Sequence, residues 1–166
     1  MPRFEHIRHK PPTTLLEPRP LVLVLAPLRS NVNLSRIVRL AGCAGINKVF
    51  QCGPGRVDPE IARDAKDVVE IIQRRSLPPV LDQLKEEGYI RVGLEQTTHS
   101  SSLFEFPFPK KTALVIGNER QGLDQDALDR LEHVVEIPVY GQPLSYNVAS
   151  ATIMAVYEYM RQFPIG

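Results

Sequence analysis

The run Leu21-Val-Leu-Val-Leu-Ala26 constrains this chain more than any other feature, because it is apolar at every position. A strand with one wet face alternates apolar and polar residues, whereas a strand covered on both faces is apolar throughout. The run is too short for an ordinary helix, so it predicts a central strand. Ala113–Ile116 has the same character. A sheet buried on both faces needs helices above and below it, and the chain supplies them in alternation with further strands. Leu34, Ile37, Val38 and Ala41 recur at helical spacing behind Asn31 and Asn33, either of which can cap a helix, and Gly42 or Gly45 can end it. Ile46–Gln51 reads as a strand, Asp58-Pro59 as the opening of a short helix, Val68–Ile72 as a small strand and Leu77–Glu87 as a helix closed by Gly88. Strand Ile90–Leu94, a Ser- and Pro-rich loop over 97–111, the strand Ala113–Ile116, helix Asp124–Leu131, strand Val134–Ile137 and a last helix from Asn147 to Arg161 complete the pattern. The fold class is therefore α/β, a mostly parallel sheet with helices on both faces. Strand order does not follow from periodicity.

With 166 residues, 43% of them hydrophobic, the chain has enough material for one core and too little for two ordinary domains. No apolar run approaches the roughly 20 residues of a membrane span, and Met1 to Pro12 lack the apolar stretch of a signal peptide. A soluble, cytoplasmic protein with no membrane association is expected. Cys43 and Cys52 have neither CxxC nor zinc-like spacing, so reduced thiols and no metal site are expected. Net charge is +1, yet residues 1–48 hold eight Lys and Arg against two Glu. Two units are read: a basic, proline-containing arm over 1–20 and a folded domain over 21–166. In the arm Arg3, Arg8, Lys10 and Arg19, with His6 and His9, can meet phosphates, or can simply be a solvated tail.

Neither GxGxxG nor GxxxxGK[ST] occurs, and no HExxH, triad-like histidine or GxSxG serine is present. Triphosphatase and hydrolytic chemistry thus have no visible centre. In parallel sheets ligands sit beyond the carboxyl ends of strands, which directs attention to Ala26–Asn33, Cys52–Arg56, Glu95–Ser102, Gly117–Leu123 and Pro138–Tyr146. Three segments there carry polar groups and glycines. In Asn31–Arg39, residues Asn33, Arg36 and Arg39 fall three apart on neighbouring helix faces and can offer donors to a phosphate or ribose, unless the asparagines only cap and the arginines are only solvated. In Leu114–Leu123 an apolar strand ends in Gly117-Asn118-Glu119 and turns through Gly122, either for close approach to a ligand or for the turn alone. In Ile137–Asn147, Ser145 and Asn147 are good capping residues, and Tyr140 and Tyr146 can flank an aromatic-accepting pocket or merely pack.

Together, and in this order, the three segments resemble the three motifs of the SpoU-type (TrmH-like) RNA ribose methyltransferases of the SPOUT superfamily. Asn33 to Arg39 and on to Gly45 resembles the first motif, Leu114–Leu123 the second and Ile137–Asn147 the third. Ser35 stands where glycine is usual, Val139 where methionine is, and Tyr146 where leucine is. The resemblance spans about Leu21 to Arg161. It implies a C-terminal deep trefoil knot, which patterning cannot reveal, and an obligate homodimer. It also implies S-adenosyl-L-methionine as cofactor, contacted by residues matching Leu94, Gly117, Ile137 and Tyr146, largely through main-chain groups.

The implied reaction is methyl transfer to a ribose 2′-hydroxyl. Among the implied catalytic residues, Arg39 comes first, and Asn33, Glu119, Ser145 and Asn147 shape the RNA and cofactor sites. A guanidinium stays protonated, so holding the adjacent phosphate and stabilising a developing alkoxide suits Arg39 better than taking a proton. Arg3, Arg8, Lys10 and Arg36 are the RNA-binding candidates. The RNA partner is expected to be tRNA first and rRNA next, recognised by the catalytic dimer, its arm or another protein. Two other readings stand beside this one: a catalytically silent or partner-dependent RNA- and S-adenosylmethionine-binding member of the same fold, and a flavodoxin-like nucleotide-binding domain.

Overall fold

A computed structural model describes all 166 residues. Its elements in chain order are β1 (Leu21–Leu25), α1 (Asn31–Ala44), β2 (Lys48–Cys52), α2 (Pro59–Ala62), α3 (Ala65–Val68), β3 (Glu70–Arg74), α4 (Leu77–Glu86), β4 (Ile90–Leu94), β5 (Ser101–Ser102), β6 (Thr112–Ile116), α5 (Gln125–Leu128), β7 (His133–Glu136) and α6 (Val148–Gln162). The strands form one sheet in the order β3-β2-β1-β6-β4-β7-β5, and every neighbouring pair is parallel. Strand periodicity divides β1 and β6 between two cores. Leu21, Leu23, Leu25, Leu114 and Ile116 pack under α1 and α6, while Val22, Val24, Ala113 and Val115 pack under α4 and α5. The uniformly apolar run is thus a strand covered on both sides. No helix is long and apolar enough to cross a membrane.

Several local expectations need correction. α1 is capped by Ser30, whose side chain accepts from the Asn33 N–H at 3.2 Å. Its hydroxyl immediately precedes the first turn, so neither Asn31 nor Asn33 has to cap. Gly45, not Gly42, ends α1 in a left-handed conformation. Within the 97–111 loop a two-residue strand, β5, extends the sheet beyond β7. So short an element leaves no periodicity to read. Phe106 and Phe108 of the same loop are buried edge-to-face at 4.9 Å, and Phe108 meets Tyr159 of α6.

Arg19 is not a phosphate contact. It is buried, with its guanidinium spent on the carbonyl oxygens of Ala44 (2.7 Å), Phe163 and Pro164. The first two carbonyls lie where α1 and α6 finish, where unsatisfied oxygens concentrate negative charge and attract a cation. The stretch before β1 is therefore docked: Leu16 N–H donates to the Ile165 carbonyl, and Glu17 pairs with Lys110. Residues 1–14 are exposed and form no helix or strand, so Arg3, Arg8 and Lys10 face solvent.

At the amino edge of the sheet, buried Arg91 pairs with Glu132 through two guanidinium nitrogens and also donates to the Leu81 carbonyl. This fastens the starts of β4 and β7 together. The opposite edge, where the strands end, is left to loops.

Candidate active site

Parallel strands deliver the residues after β4, β6 and β7 to one edge, and there they enclose a cleft of about 250 Å³. Leu94, Gly117, Ile137 and Tyr146 all line it, as do Glu119 and Ser145. Its walls are apolar at Ile116, Val139 and Ala151 and acidic at Glu95, Glu119 and Glu136, with Arg120 as the one basic side chain. Tyr140 does not line the cleft and is 84% exposed, so the two tyrosines do not flank a common pocket.

Glu119 organises the rim. Its carboxylate accepts from the backbone N–H groups of Arg29 (2.8 Å) and Ser30 (3.0 Å) and from the Asn33 side-chain amide (3.2 Å). Burial would raise the Glu119 pKa, but these donors outweigh it and hold the carboxyl below its ordinary value. The other end of the Asn33 amide, Oδ1, accepts from Asn147 Nδ2 at 3.1 Å. Asn147 meanwhile caps α6, its Oδ1 accepting from the Ala149 and Ser150 N–H groups. One hydrogen-bonded chain thus ties together the three segments singled out in the sequence. Relieved of capping, Asn33 is 8% exposed and makes both of its amide ends count. Ser145 does not cap α6 and stays exposed at the cleft.

Arg39 lies outside this network. It is exposed on α1, six residues or about 9 Å along the helix from Asn33, and takes part in no ion pair. Arg36 is likewise exposed on α1.

Two further residues, Glu95 and Asn118, support the cleft without having been assigned a site role from sequence. Glu95 accepts from the Gln96 and Leu123 N–H groups. Asn118 donates to the Pro27 carbonyl at 2.7 Å and accepts from the Arg120 and Gln121 N–H groups. A polar residue within two positions of the end of an apolar strand is the available signal for both. Gly117 and Gly122 pack backbone to backbone, and a Cβ on Gly117 would come within 2.5 Å of the Gly122 carbonyl carbon. No group of three or more His, Cys, Asp or Glu is placed to hold a metal ion.

The profile of the SpoU rRNA Methylase family matches residues 20–157. The chain belongs to this family. This SpoU-family chain is 32% identical over 152 residues to the Mus musculus tRNA (guanosine(18)-2'-O)-methyltransferase, covering 88% of the present chain and 10% of the mouse protein. It is 30% identical to the Bacillus subtilis 23S rRNA (guanosine(2553)-2'-O)-methyltransferase, covering 90% of this chain and 61% of that one. It therefore spans less than two thirds of either relative. Among solved structures, the A. aeolicus TrmH/SpoU tRNA modifying enzyme superposes with a TM-score of 0.82 at 25% identity, covering 88% and 76% of the two chains. The SpoU methyltransferase AviRb from Streptomyces viridochromogenes, in complex with AdoMet, superposes with a TM-score of 0.74 at 27% identity, covering 88% and 61%.

Proposed function

We propose that this chain is an S-adenosylmethionine-dependent RNA methyltransferase acting on a ribose 2′-hydroxyl, with tRNA as its first substrate class and rRNA as its second. The observation that carries the reading is the Glu119–Asn33–Asn147 chain of hydrogen bonds, which joins the family's three motif segments at the rim of one cleft. Relatives named for tRNA and rRNA guanosine 2'-O-methylation support the substrate class.

The cleft suits this cofactor chemically. Apolar walls from Leu94, Ile116, Ile137 and Val139 accept a flat heterocycle. The carboxylates of Glu95, Glu119 and Glu136 favour a ligand bearing positive charge. S-adenosylmethionine, when bound, supplies a methyl group on a cationic sulfur. Leu94, Gly117, Ile137 and Tyr146 are assigned to its binding.

Glu119, ionised and saturated with donors, orients Asn33 and the β1–α1 turn and is not a proton acceptor. Asn33, Ser145 and Asn147 are assigned to positioning the ribose. Arg39 is assigned to the phosphate next to the reacting hydroxyl and to the negative charge that develops there. Arg3, Arg8, Lys10 and Arg36 are assigned to RNA phosphates farther out. Residues 21–166 form the catalytic domain in this reading, and residues 1–20 an arm of which only the exposed part is free to meet RNA.

The finer assignments are a cytoplasmic homodimer with a knotted C-terminal segment. Two unpaired cysteines agree with a reducing compartment. β7 inserted between β4 and β5, which only residues 95–100 connect, supports a threaded C-terminal segment. Ile153 and Tyr157, 44% and 70% exposed on α6, support a subunit interface.

Transfer of labelled methyl from S-adenosylmethionine to total unmodified tRNA and rRNA, followed by nucleoside analysis, tests the reading. A 2′-O-methylnucleoside made by wild type and lost in Arg39→Ala is the expected result. Cofactor binding without transfer to either pool would instead favour a silent or partner-dependent member. Arg39→Lys turning over near the wild-type rate would remove the bidentate role.

A further inference from the structure

No arginine in the loops at the carboxyl edge of the sheet takes part in an ion pair, whereas at the amino edge some cations do and others, Lys48 and Lys111, do not. The ion pairs of the chain use Lys66, Arg91, Lys110, Arg130 and Arg161. Arg91, Lys110 and Arg130 stand at or just before the starts of β4, β6 and β7, at the amino edge. At the carboxyl edge Arg120, Arg29, Arg56, Arg74 and Arg75 are exposed and none is in an ion pair. The Arg74 side chain makes one hydrogen bond, to the neighbouring Gln73 carbonyl.

Several carboxylates at this edge accept hydrogen bonds from N–H donors. Asp58 accepts from the Glu60 N–H, Glu95 from Gln96 and Leu123, Glu119 from Arg29 and Ser30, and Asp124 from Ala127. The arginines are left without ion-pair partners while these acids are occupied. Surface cations that neutralise no neighbour are available to neutralise a ligand.

Their order matters as well. Arg120 follows β6, Arg29 follows β1, Arg56 follows β2, and Arg74 and Arg75 close β3, which is the order of these strands in the sheet. Neighbouring strands are about 4.8 Å apart, so the row runs roughly 14 Å from the cleft to the edge strand. Each loop is bonded to the next. Asn118 reaches the Pro27 carbonyl, the Asn31 side chain accepts from the Arg56 N–H at 3.0 Å, and the Gly53 N–H donates to the Arg74 carbonyl at 2.9 Å. The backbone that carries the row is thereby held in place before any ligand arrives. Beyond it, Arg74 and Arg75 border a shallow hollow with Ser76 and Gln83.

We infer that Arg29, Arg56, Arg74 and Arg75 form a phosphate-binding track that carries the RNA backbone from the cleft across the carboxyl edge to β3. This rests on the methyltransferase reading above. Guanidinium forks suit phosphodiester oxygens, and a row of them reads backbone geometry without reading sequence.

The test compares wild type, the double variant Arg74→Ala/Arg75→Ala and the control Lys85→Ala, which removes a cation from the far end of α4. Binding of a pool of unmodified tRNA is titrated between roughly 50 and 200 mM KCl, with S-adenosylmethionine binding and thermal midpoint measured alongside. Two lost phosphate contacts shrink the salt-induced loss of affinity over that range by about tenfold. The expected result is that reduction in the double variant alone, with cofactor binding and thermal midpoint unchanged. A salt dependence equal to wild type, or an equal change in Lys85→Ala, would overturn the track and leave the methyltransferase reading standing. Failure of wild type itself to bind RNA would overturn both.

Discussion

At the residue scale the Asn33 amide is the most informative group, since one end donates to Glu119 and the other accepts from Asn147. Glu119 titrates below the ordinary glutamate value of 4.5 because donors outweigh burial. A carboxyl with a depressed pKa contributes its full share above the ordinary value, and that share is lost as pH falls through the depressed one. Asn33→Asp removes a donor and adds a negative charge beside Glu119, so its pKa rises. The acid limb of the methyl-transfer pH profile is then expected at higher pH than in wild type, and an unmoved limb would deny Glu119 its organising role. Gly117 makes a different demand. Adding a methyl group drives it into the Gly122 backbone at 2.5 Å, a strain of about 1–3 kcal/mol. Gly117→Ala is expected to weaken S-adenosylmethionine binding about tenfold by calorimetry.

At the scale of elements, α1 and α6 are anchored at opposite ends by different chemistry. Near their starts they share the Asn33–Asn147 bond, and beyond their ends they share Arg19, which donates to Ala44 and Phe163. Arg19→Ala strips those carbonyls of a charged donor in a buried setting and costs about 3 kcal/mol. For a chain of this size the thermal midpoint should drop by roughly 6–12 °C, followed by circular dichroism. A shift within error would mean that the segment before β1 contributes nothing to holding the two helices. Arg19 had looked like one more cation of a basic arm. Proximity in sequence to Arg3, Arg8 and Lys10 said nothing about its destination, because the carbonyls it meets come from residues 25 and 144 positions away.

At the scale of the whole molecule, the exposed apolar side chains of α6 bear on assembly. Ile153 and Tyr157 are four residues apart and share a face. Wild type is expected to sediment as a dimer and the double variant Ile153→Glu/Tyr157→Glu as a monomer. An unchanged sedimentation coefficient would place the interface elsewhere. The chain's apolar periodicity was enough to determine an α/β class, since Leu21–Ala26 and Ala113–Ile116 admit little besides strands covered on both faces, and these residues are buried throughout. The ordered polar segments likewise marked Asn33, Glu119 and Asn147 before any geometry was known. Periodicity reports only which way a side chain faces within its own element, so strand order, the strand β5 and the docking of Arg19 lay beyond it. Tertiary structure decided between the local readings at several of the ambiguous residues. Ser30 took the cap of α1 and freed Asn33 for the network, Asn147 served both cap and network, and Tyr140 turned to solvent. Each outcome depends on which distant group arrives within hydrogen-bond range, and only the folded chain brings that group there.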